Sequence, residues 1–304
     1  MQIYLPIANM SVNIFVIILL GGGVGILSGL FGVGGGFLTT PLLIFFGIPP
    51  AVAAASAATQ VAGSSVSGVL AHWERDGVDL KMGLLLALGG VFGSLAGAWL
   101  FDVLQSVGQI DTTISILYVG LLGSVGGLMA RDAWREHRAS ANGRTFEPKL
   151  RHHHPLVAKF PFRMRFYRSG VFVSPIAPLL LGFLTGILTV LLGVGGGFIM
   201  IPAMIYLLGI AARVVVGTSL LQILVVTAFA TMVHAVTTQS VDIVLAGLLL
   251  IGGVAGAQIG ARLGARISPE KLRILLAAIV LAVAFRMLIG LSFRPDEIFT
   301  VGST

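Results

Sequence analysis

Cysteine is absent from this chain of 304 residues, and charged residues are scarce. The absence of cysteine excludes disulfides and thiolate metal sites. Asp, Glu, Lys and Arg make up only 10% of the sequence, whereas soluble domains carry roughly 25%. The carboxylates fall mostly between the apolar runs, and those runs contain no nucleophile–base pair and no metal-ligand spacing. We therefore expect neither an enzyme nor a bound metal or cofactor.

Apolar runs dominate what is present. Hydrophobic residues account for 56% of the chain, and the mean hydropathy is +1.00. Runs such as Met82–Leu100 and Ile274–Leu291 are long enough to cross a bilayer as helices. Glycine, with 41 residues, is abundant in a way that suits close helix packing. The composition predicts an all-α polytopic membrane protein.

One glycine-rich motif occurs twice. Gly32-Val33-Gly34-Gly35-Gly36-Phe37 recurs 161 residues later as Gly193-Val194-Gly195-Gly196-Gly197-Phe198. Further pairs follow in nearly the same register, namely Pro41 with Pro202, Ser56 with Thr218, Gln60 with Gln222, His72 with His234 and Asp79 with Asp242. This pattern predicts two related halves. Each motif predicts a broken membrane helix, and such breaks in corresponding positions indicate a transporter's binding site.

Each half contains five apolar segments. We place them at 12–31, 36–48, 51–71, 80–101, 112–130 and at 172–192, 197–210, 212–236, 242–264, 272–291. The second segment of each half is too short to span a bilayer and is interpreted as a half-span or a tilted piece. The predicted organisation is a first transmembrane repeat over 1–131, a basic loop over 132–170 and a second transmembrane repeat over 171–304.

Positive charge is concentrated between the halves. Residues 131–168 contain ten Lys or Arg and three Asp or Glu, so this loop carries the whole net charge of +7. Basic loops stay in the cytoplasm, and the loop has no signature of a nucleic-acid-binding module. Equivalent loops of the two halves carry opposite charge bias, as five crossings per half would require. We therefore predict an inverted repeat with the basic loop 131–168 in the cytoplasm.

The glycine breaks are the first candidate site. Glycine reaches backbone angles closed to other residues, and the helix that follows each break offers free N–H groups at the positive end of its dipole. Together they could hold an anion without a buried cation; the alternative is that the glycines only permit tight helix crossing. The candidate residues are Gly34, Gly35, Gly36, Phe37, Gly195, Gly196, Gly197 and Phe198.

Neutral polar residues in the third segment of each half form the second candidate set. Hydroxyl and amide groups can replace the water shell of an oxyanion, although they also commonly join helices in membranes. This set comprises Ser56, Gln60, Thr218, Ser219 and Gln222. The matched Gln60 and Gln222 favour a ligand cavity.

Three further residues are candidates for gating or proton coupling. His72 and His234 end equivalent segments and could carry a proton, or they could be interfacial histidines with no such role. Arg286 lies deep in the last apolar segment, and a charge at such a position indicates function. It could attract anions, pair with Asp79 or Asp242, or extend towards the membrane surface.

These motifs resemble the sulfite exporter TauE/SafE family of membrane permeases. The resemblance rests on Gly29–Phe37 with Pro41, and on Gly193–Phe198 with Pro202. It covers the chain apart from the central loop and the termini. The resemblance implies a substrate such as sulfite, sulfoacetate or another small sulfur-containing or organic anion.

The sequence as a whole predicts a secondary transporter of the bacterial inner membrane. It would export a small sulfur-containing anion, such as sulfite or an organosulfonate, by alternating access around a midplane site. Its partners would be the anion and the lipid bilayer. An anion channel, and a membrane sensor or assembly subunit that acts through the basic loop, remain as alternatives.

Overall fold

The protein is almost entirely helical in a computed structural model that describes residues 2–31, 34–74, 76–141, 164–210, 212–264 and 269–292. These residues form ten α-helices. In the first half they are α1 (Ile14–Phe31), α2 (Gly36–Phe45), α3 (Pro50–Trp73), α4 (Leu80–Ser106) and α5 (Ile110–Ala141). In the second half they are α6 (Ile176–Leu192), α7 (Gly197–Tyr206), α8 (Ala212–Val233), α9 (Ile243–Gly264) and α10 (Pro269–Ser292), and a π-helical turn, His234–Thr238, continues α8.

Six of the described helices are long and apolar enough to cross a membrane. They lie in α1, α4, α5, α8, α9 and α10, and they confirm the prediction of a helical, multi-pass membrane protein. α3 is long enough but more polar, and most of its first half is buried. Most of the basic loop, residues 142–163, lies outside the described residues, so its cytoplasmic position remains a prediction.

Local sequence explains where several helices begin and end. Pro50 starts α3, where a missing N–H costs nothing. Asp79 caps α4 by accepting a hydrogen bond from the Met82 N–H (3.2 Å). Asp242 caps α9 in the same way through the Leu245 N–H (3.0 Å). Gly193 ends α6 with φ +69°, a left-handed conformation that glycine adopts readily.

Glycines bring two pairs of helices into backbone contact. α1 lies beside α9 and runs in the same direction, because the carbonyls of Ile18 and Ile26 lie against Gly252 and Gly260 respectively. A Cβ atom at any of these glycines would collide with the neighbouring backbone. α4 lies beside α6 in the same way. Small residues at helix contacts are what permits such approach in membranes.

Each helix contact between the two halves has a counterpart in which each helix is replaced by its equivalent from the other half. α1 packs on α9 and α6 packs on α4, while α3 packs on α9 and α8 packs on α4. The two remaining main contacts join equivalent helices, α3 with α8 and α5 with α10. A two-fold relation between the halves produces this pattern of contacts.

The short helices α2 and α7 turn back instead of continuing across the bundle. The end of α2 (Leu43) and the following Ile48 share an apolar cluster with Val12, in the strand just before α1, and with Ile17, in the first turn of α1. In the second half, Met204 near the end of α7 lies in one cluster with residues that precede and begin α6. Each half therefore contains one returning helix pair and three through-helices, fewer than the five crossings expected. An odd number of crossings is what the predicted inverted repeat requires, and the inversion itself remains a prediction.

Two short β-hairpins, which the sequence analysis did not predict, precede the halves. Gln2–Leu5 pairs with Met10–Asn13 (β1 and β2), and Met164–Phe166 pairs with Val171–Val173 (β3 and β4). They are separated by the same 161 positions as the glycine motifs. Their turns end in equivalent left-handed residues, Asn9 (φ +52°) and Gly170 (φ +66°).

Candidate functional site

The two glycine loops meet at the centre of the bundle. α1 ends at Phe31, and the chain passes through Gly34 (φ +78°) and Gly35 (φ +49°) before α2 begins. After Gly193, the second loop contains Gly195 (φ +75°) and Gly196 (φ +76°). Positive φ angles of this kind strain any residue with a Cβ atom. Gly32 and Val33 of the first motif lie outside the described residues.

Close packing holds the two loops together. A Cβ atom on Gly36 would lie 2.5 Å from the Gly193 carbonyl oxygen. The side chains of Val61 on α3 and Ile223 on α8, which are equivalent in the repeat, face the glycines of both loops. The six candidate glycines, Gly34, Gly35, Gly36, Gly195, Gly196 and Gly197, are all buried. The centre of the bundle is therefore closed in this conformation.

The start of α7 presents unpaired backbone donors. The N–H groups of Ile199 and Met200 donate to the Gly196 carbonyl at 3.1 and 2.8 Å. Within the described part of the chain, no acceptor is found for the N–H groups of Gly197 and Phe198. Free N–H groups at a helix start lie at the positive end of its dipole. This arrangement suits an anion.

Gln222 lies beside this helix start with one polar atom unpaired. Its side chain is fully buried, and its Nε2 donates to Thr185 Oγ1 at 3.3 Å. A Cβ atom on Gly196 would lie 3.1 Å from Thr185 Cβ, which places the Gln222–Thr185 pair next to the glycine loop. Gln222 Oε1 is buried without a hydrogen-bond partner. Buried polar atoms are usually paired, so this unpaired atom, close to the glycine loop through Thr185, makes Gln222 a candidate ligand contact.

Gln60, the equivalent residue in the first half, has a hydrogen-bond partner for its side-chain oxygen. Its Oε1 accepts a hydrogen bond from Thr39 Oγ1 at 2.9 Å. Its Nε2 would lie 2.6 Å from a Cβ atom on Gly253, so the amide packs directly on the α9 backbone. The two glutamines match in sequence but differ in what they leave free. Of the two glutamines, Gln222 is the one with a fully buried side-chain atom that has no partner among the described residues.

Ser56, Thr218 and Ser219 are bonded within the protein. Asp79 donates its backbone N–H to Thr218 Oγ1 at 3.0 Å, and Asp242 donates its own to Ser56 Oγ at 3.3 Å. Each bond joins one half to the other. Ser219 Oγ donates to the Val216 carbonyl on its own helix (2.9 Å). The hydroxyls of Ser56 and Thr218 thus join the two halves, which is the alternative that the sequence left open, whereas that of Ser219 stays within its helix.

Asp79 and Asp242 also hold the two β-hairpins. Asp79 Oδ2 accepts from the N–H and the hydroxyl of Ser169, at 3.0 and 2.7 Å. Asp242 Oδ2 accepts from the Ile7 N–H at 3.1 Å. From the sequence, the two aspartates were noted as matched positions and as possible partners of Arg286, but not as contacts of the hairpins. The 161-residue spacing between the hairpin turns was the signal that could have revealed these contacts.

The two histidines have different surroundings. His234 is fully buried in the π-helical turn, where its Nε2 lies 2.9 Å from the Val190 carbonyl and its Nδ1 lies 3.1 Å from Thr238 Oγ1. His72 is partly exposed, and its Nδ1 lies 2.9 Å from the Gly68 carbonyl of its own helix. His234 therefore supports the end of α6, whereas the hydrogen bond of His72 stays within its own helix.

Further side chains that the sequence analysis did not single out support the end of α6. The Leu192 carbonyl accepts hydrogen bonds from Thr40 Oγ1 (3.0 Å) and from the Tyr118 hydroxyl. Both donors are fully buried and belong to the first half. Donors spaced so far apart in the chain leave no local sequence pattern.

Arg286 lies away from the central loops. Its guanidinium lies over the Phe45 ring, 5.2 Å from the centroid. It lines a cavity of about 350 Å³ that contains none of the predicted glycine or glutamine residues. The carboxylates of Asp79 and Asp242, its suggested partners, accept hydrogen bonds from the β-hairpins instead. Over the described ranges, no cluster of three His, Asp or Glu residues could hold a metal ion.

Comparison with known proteins gives one consistent result. The sequence model described as "Sulfite exporter TauE/SafE" matches residues 17–287. "Probable membrane transporter protein YjnA" of Bacillus subtilis (strain 168) is 30% identical over 282 residues, which are 92% of this chain and 100% of that protein. A "Probable membrane transporter protein" of Xylella fastidiosa (strain Temecula1 / ATCC 700964) is 29% identical over 269 residues, or 87% and 90% of the two chains.

An archaeal protein is also similar. "Probable membrane transporter protein MJ0441" of Methanocaldococcus jannaschii is 24% identical over 291 residues, which are 90% of this chain and 94% of that protein. No solved structure matches the chain significantly. These matches confirm the prediction of a membrane transporter and not an enzyme. The chain belongs to the sulfite exporter TauE/SafE family.

Proposed function

We propose that the protein exports a small sulfur-containing anion, sulfite or an organosulfonate, across the bacterial inner membrane. The observation that carries the proposal is the buried Oε1 of Gln222, which has no hydrogen-bond partner among the described residues. The same amide donates to Thr185, which lies against the glycine loop that precedes α7. A half-turn of the terminal amide exchanges its oxygen and nitrogen, so Gln222 can offer either an acceptor or an NH₂ donor. The family description, which names sulfite, supports this substrate class.

A site without a fixed charge suits a transported anion. Peptide dipoles and an amide stabilise an oxyanion inside a low-dielectric protein. Because no buried cation neutralises the ligand permanently, the anion can also leave. Discontinuous helices with their N-termini at an anionic substrate are a recurring feature of secondary transporters.

The mechanism that we propose is alternating access between two inverted halves. Gly68 on α3 faces Leu220 on α8, and Gly217 on α8 faces His72 on α3, so the two equivalent helices run antiparallel. Equivalent helices that cross antiparallel are related by an axis in the membrane plane. Movement of one half against the other would separate the glycine loops first towards one side and then towards the other.

The distribution of charge supports a cytoplasmic basic loop. The end of the bundle where α3 ends and α4 begins carries Lys81, Arg131, Arg168 and Arg262. At the opposite end, Asp102 and Asp111 flank the loop between α4 and α5. Positively charged loops remain in the cytoplasm. The first end, and with it the loop 131–168, therefore faces inward in this proposal.

Outward transport of an anion needs no coupled ion. With the inside of the cell negative, the membrane potential favours export by about 2.3 kcal/mol per charge for each 100 mV. Uptake of the same anion would require a coupled cation or proton. The proposed direction follows from the sign of the potential.

Single cysteines test the topology directly, because the chain contains none. We expect Ser106→Cys and Thr237→Cys, at one end of the bundle, to react with a membrane-impermeant maleimide in intact cells. Glu74→Cys and Arg262→Cys, at the other end, should react only after permeabilisation. All four positions are exposed. Labelling of Ser106→Cys and Thr237→Cys from opposite sides would contradict the inverted arrangement.

Flux of ³⁵S-sulfite from proteoliposomes tests the substrate and the mechanism. We expect saturable flux that accelerates when the interior is made negative, exchange of labelled for unlabelled sulfite, and competition by organosulfonates. Non-saturating conductance would indicate an anion channel instead. Deletion of residues 140–165 should leave sulfite flux largely intact. Loss of flux in this deletion variant would contradict a transport unit made of the two helical halves.

A further inference from the structure

A cavity of about 350 Å³ lies at the end of the bundle opposite Lys81 and Arg168. It is bounded by the end of α2, the starts of α3 and α5, and the last turns of α10. Its volume lies at the lower end of the range of roughly 300–1,000 Å³ that small-molecule sites occupy. It is separate from the glycine loops, so the proposed transport site does not account for it.

Charges of both signs line this cavity. Arg286 and Asp111 both contribute to its wall, yet neither forms an ion pair within the described part of the chain. Arg286 contacts the ring of Phe45, and its Nη1 would lie 3.7 Å from a Cβ atom on Gly290, one turn further along α10. The guanidinium therefore extends towards the end of the helix with its hydrogen-bond donors free. A guanidinium carries five such donors.

The remaining lining joins hydroxyl groups to apolar surface. Thr112 and Ser115 on α5 contribute the hydroxyls, and Met287 and Leu291 on α10 contribute much of the apolar wall. Beside the cavity, Phe285 is 64% exposed, as expected of a side chain that faces lipid. The cavity thus opens where the lipid-facing surface of the bundle meets its polar end.

We propose that this cavity binds the headgroup of a zwitterionic phospholipid of the phosphatidylethanolamine class. The phosphate would accept hydrogen bonds from Arg286 and from the Thr112 hydroxyl, and Arg is well suited to bind phosphate. The Ser115 hydroxyl already donates to the Asp111 carbonyl (2.9 Å). The ammonium group would lie at Asp111, and the acyl chains would lie against Phe285 and Leu291. A ligand with both charges satisfies both unpaired side chains at once. A purely anionic lipid or a free oxyanion would repel the Asp111 carboxylate and provide no positive group to pair with it.

Native mass spectrometry of the full chain, after exchange into mixed phosphatidylethanolamine and phosphatidylglycerol, tests this site. We expect the wild-type protein to retain phosphatidylethanolamine preferentially. Arg286→Gln should reduce retention about tenfold, because a hydrogen bond to a charged group is lost. Asp111→Asn should abolish the preference while phosphatidylglycerol is still retained. Arg262→Gln, an exposed arginine at the opposite end, is the matched control and should behave as the wild type.

Two results would overturn the proposal. One is equal retention of phosphatidylethanolamine by the wild-type protein and Arg286→Gln. The other is displacement of the bound lipid by millimolar sulfite, which would identify the cavity as an entry site for the anion. Because lipid retention is measured without flux, failure here leaves the proposed export function separately testable.

Discussion

The rings of Phe37 and Phe198 stack face to face, with centroids 4.6 Å apart and planes 7° from parallel. The two residues are equivalent in the repeat, and each lies in the first turn of a returning helix, α2 or α7. Both side chains are buried. The stack joins the first turns of α2 and α7, where α7 begins with free N–H groups. We infer that the two rings must separate when an anion reaches those groups.

A double-mutant cycle measures the stack. Phe37→Leu and Phe198→Leu keep apolar bulk but remove ring–ring contact. We expect a coupling energy of about 1 kcal/mol in thermal unfolding of the detergent-solubilised protein, as aromatic pairs usually give. Strictly additive losses from the two substitutions would mean that the rings do not stabilise one another.

Alanine substitutions at two glycines of α1 test whether these glycines are needed for the close contact with α9. A Cβ atom on Gly25 would collide with the Gly253 carbonyl of α9, whereas one on Gly23 would meet nothing within 4 Å. We expect Gly25→Ala to destabilise the protein by about 1–3 kcal/mol, the usual cost of overpacking. Gly23→Ala should be neutral or stabilising by up to about 1 kcal/mol. Equal effects on the melting temperature would contradict the described contact of α1 and α9.

The aspartates at positions 79 and 242 each hold one β-hairpin, so their variants should act locally. In Asp242→Asn, a single remaining oxygen must serve both the Leu245 N–H and the Ile7 N–H. We expect about tenfold faster hydrogen exchange in residues 2–13, which corresponds to the loss of one hydrogen bond to a charged group. Exchange in residues 164–173 should not change.

Asp79→Asn is the matched control, with the opposite pattern expected. It should accelerate exchange in residues 164–173 and leave residues 2–13 unchanged, because Asp79 contacts Ser169 and not Ile7. If either variant accelerated exchange in both hairpins, the carboxylates would act on overall stability and not as separate contacts.

Local signals explain why the helix bounds could be predicted from the sequence. The predicted segment 197–210 begins where α7 begins, because glycines with positive φ interrupt the helix immediately before it. Capping residues such as Asp79 and Asp242 mark the starts of α4 and α9. The direction of α2 and α7 could not be predicted, because it depends on apolar contacts with distant segments. Strands of three or four residues also give too weak a pattern.

The candidate residues could be selected from the sequence, but their hydrogen-bond partners could not. Sequence matching placed Gln60 and Gln222 in equivalent roles. In the structure, however, Gln60 Oε1 accepts a hydrogen bond from Thr39, whereas Gln222 Oε1 has no partner among the described residues. Ser56 and Thr218 have suitable hydroxyls for an oxyanion, but their partners are backbone groups of the opposite half. Such partners appear only after the chain has folded.

Affinity for sulfite in matched glutamine variants tests the central claim most directly. The measurement is isothermal titration of sulfite into detergent-solubilised wild-type protein, Gln222→Ala and Gln60→Ala. We expect Gln222→Ala to weaken binding about tenfold, because a hydrogen bond to a charged ligand is lost. Gln60→Ala should keep an affinity within about threefold of the wild type, because its amide already binds Thr39. Equal losses in the two variants, or no loss in Gln222→Ala, would contradict an anion site at the start of α7.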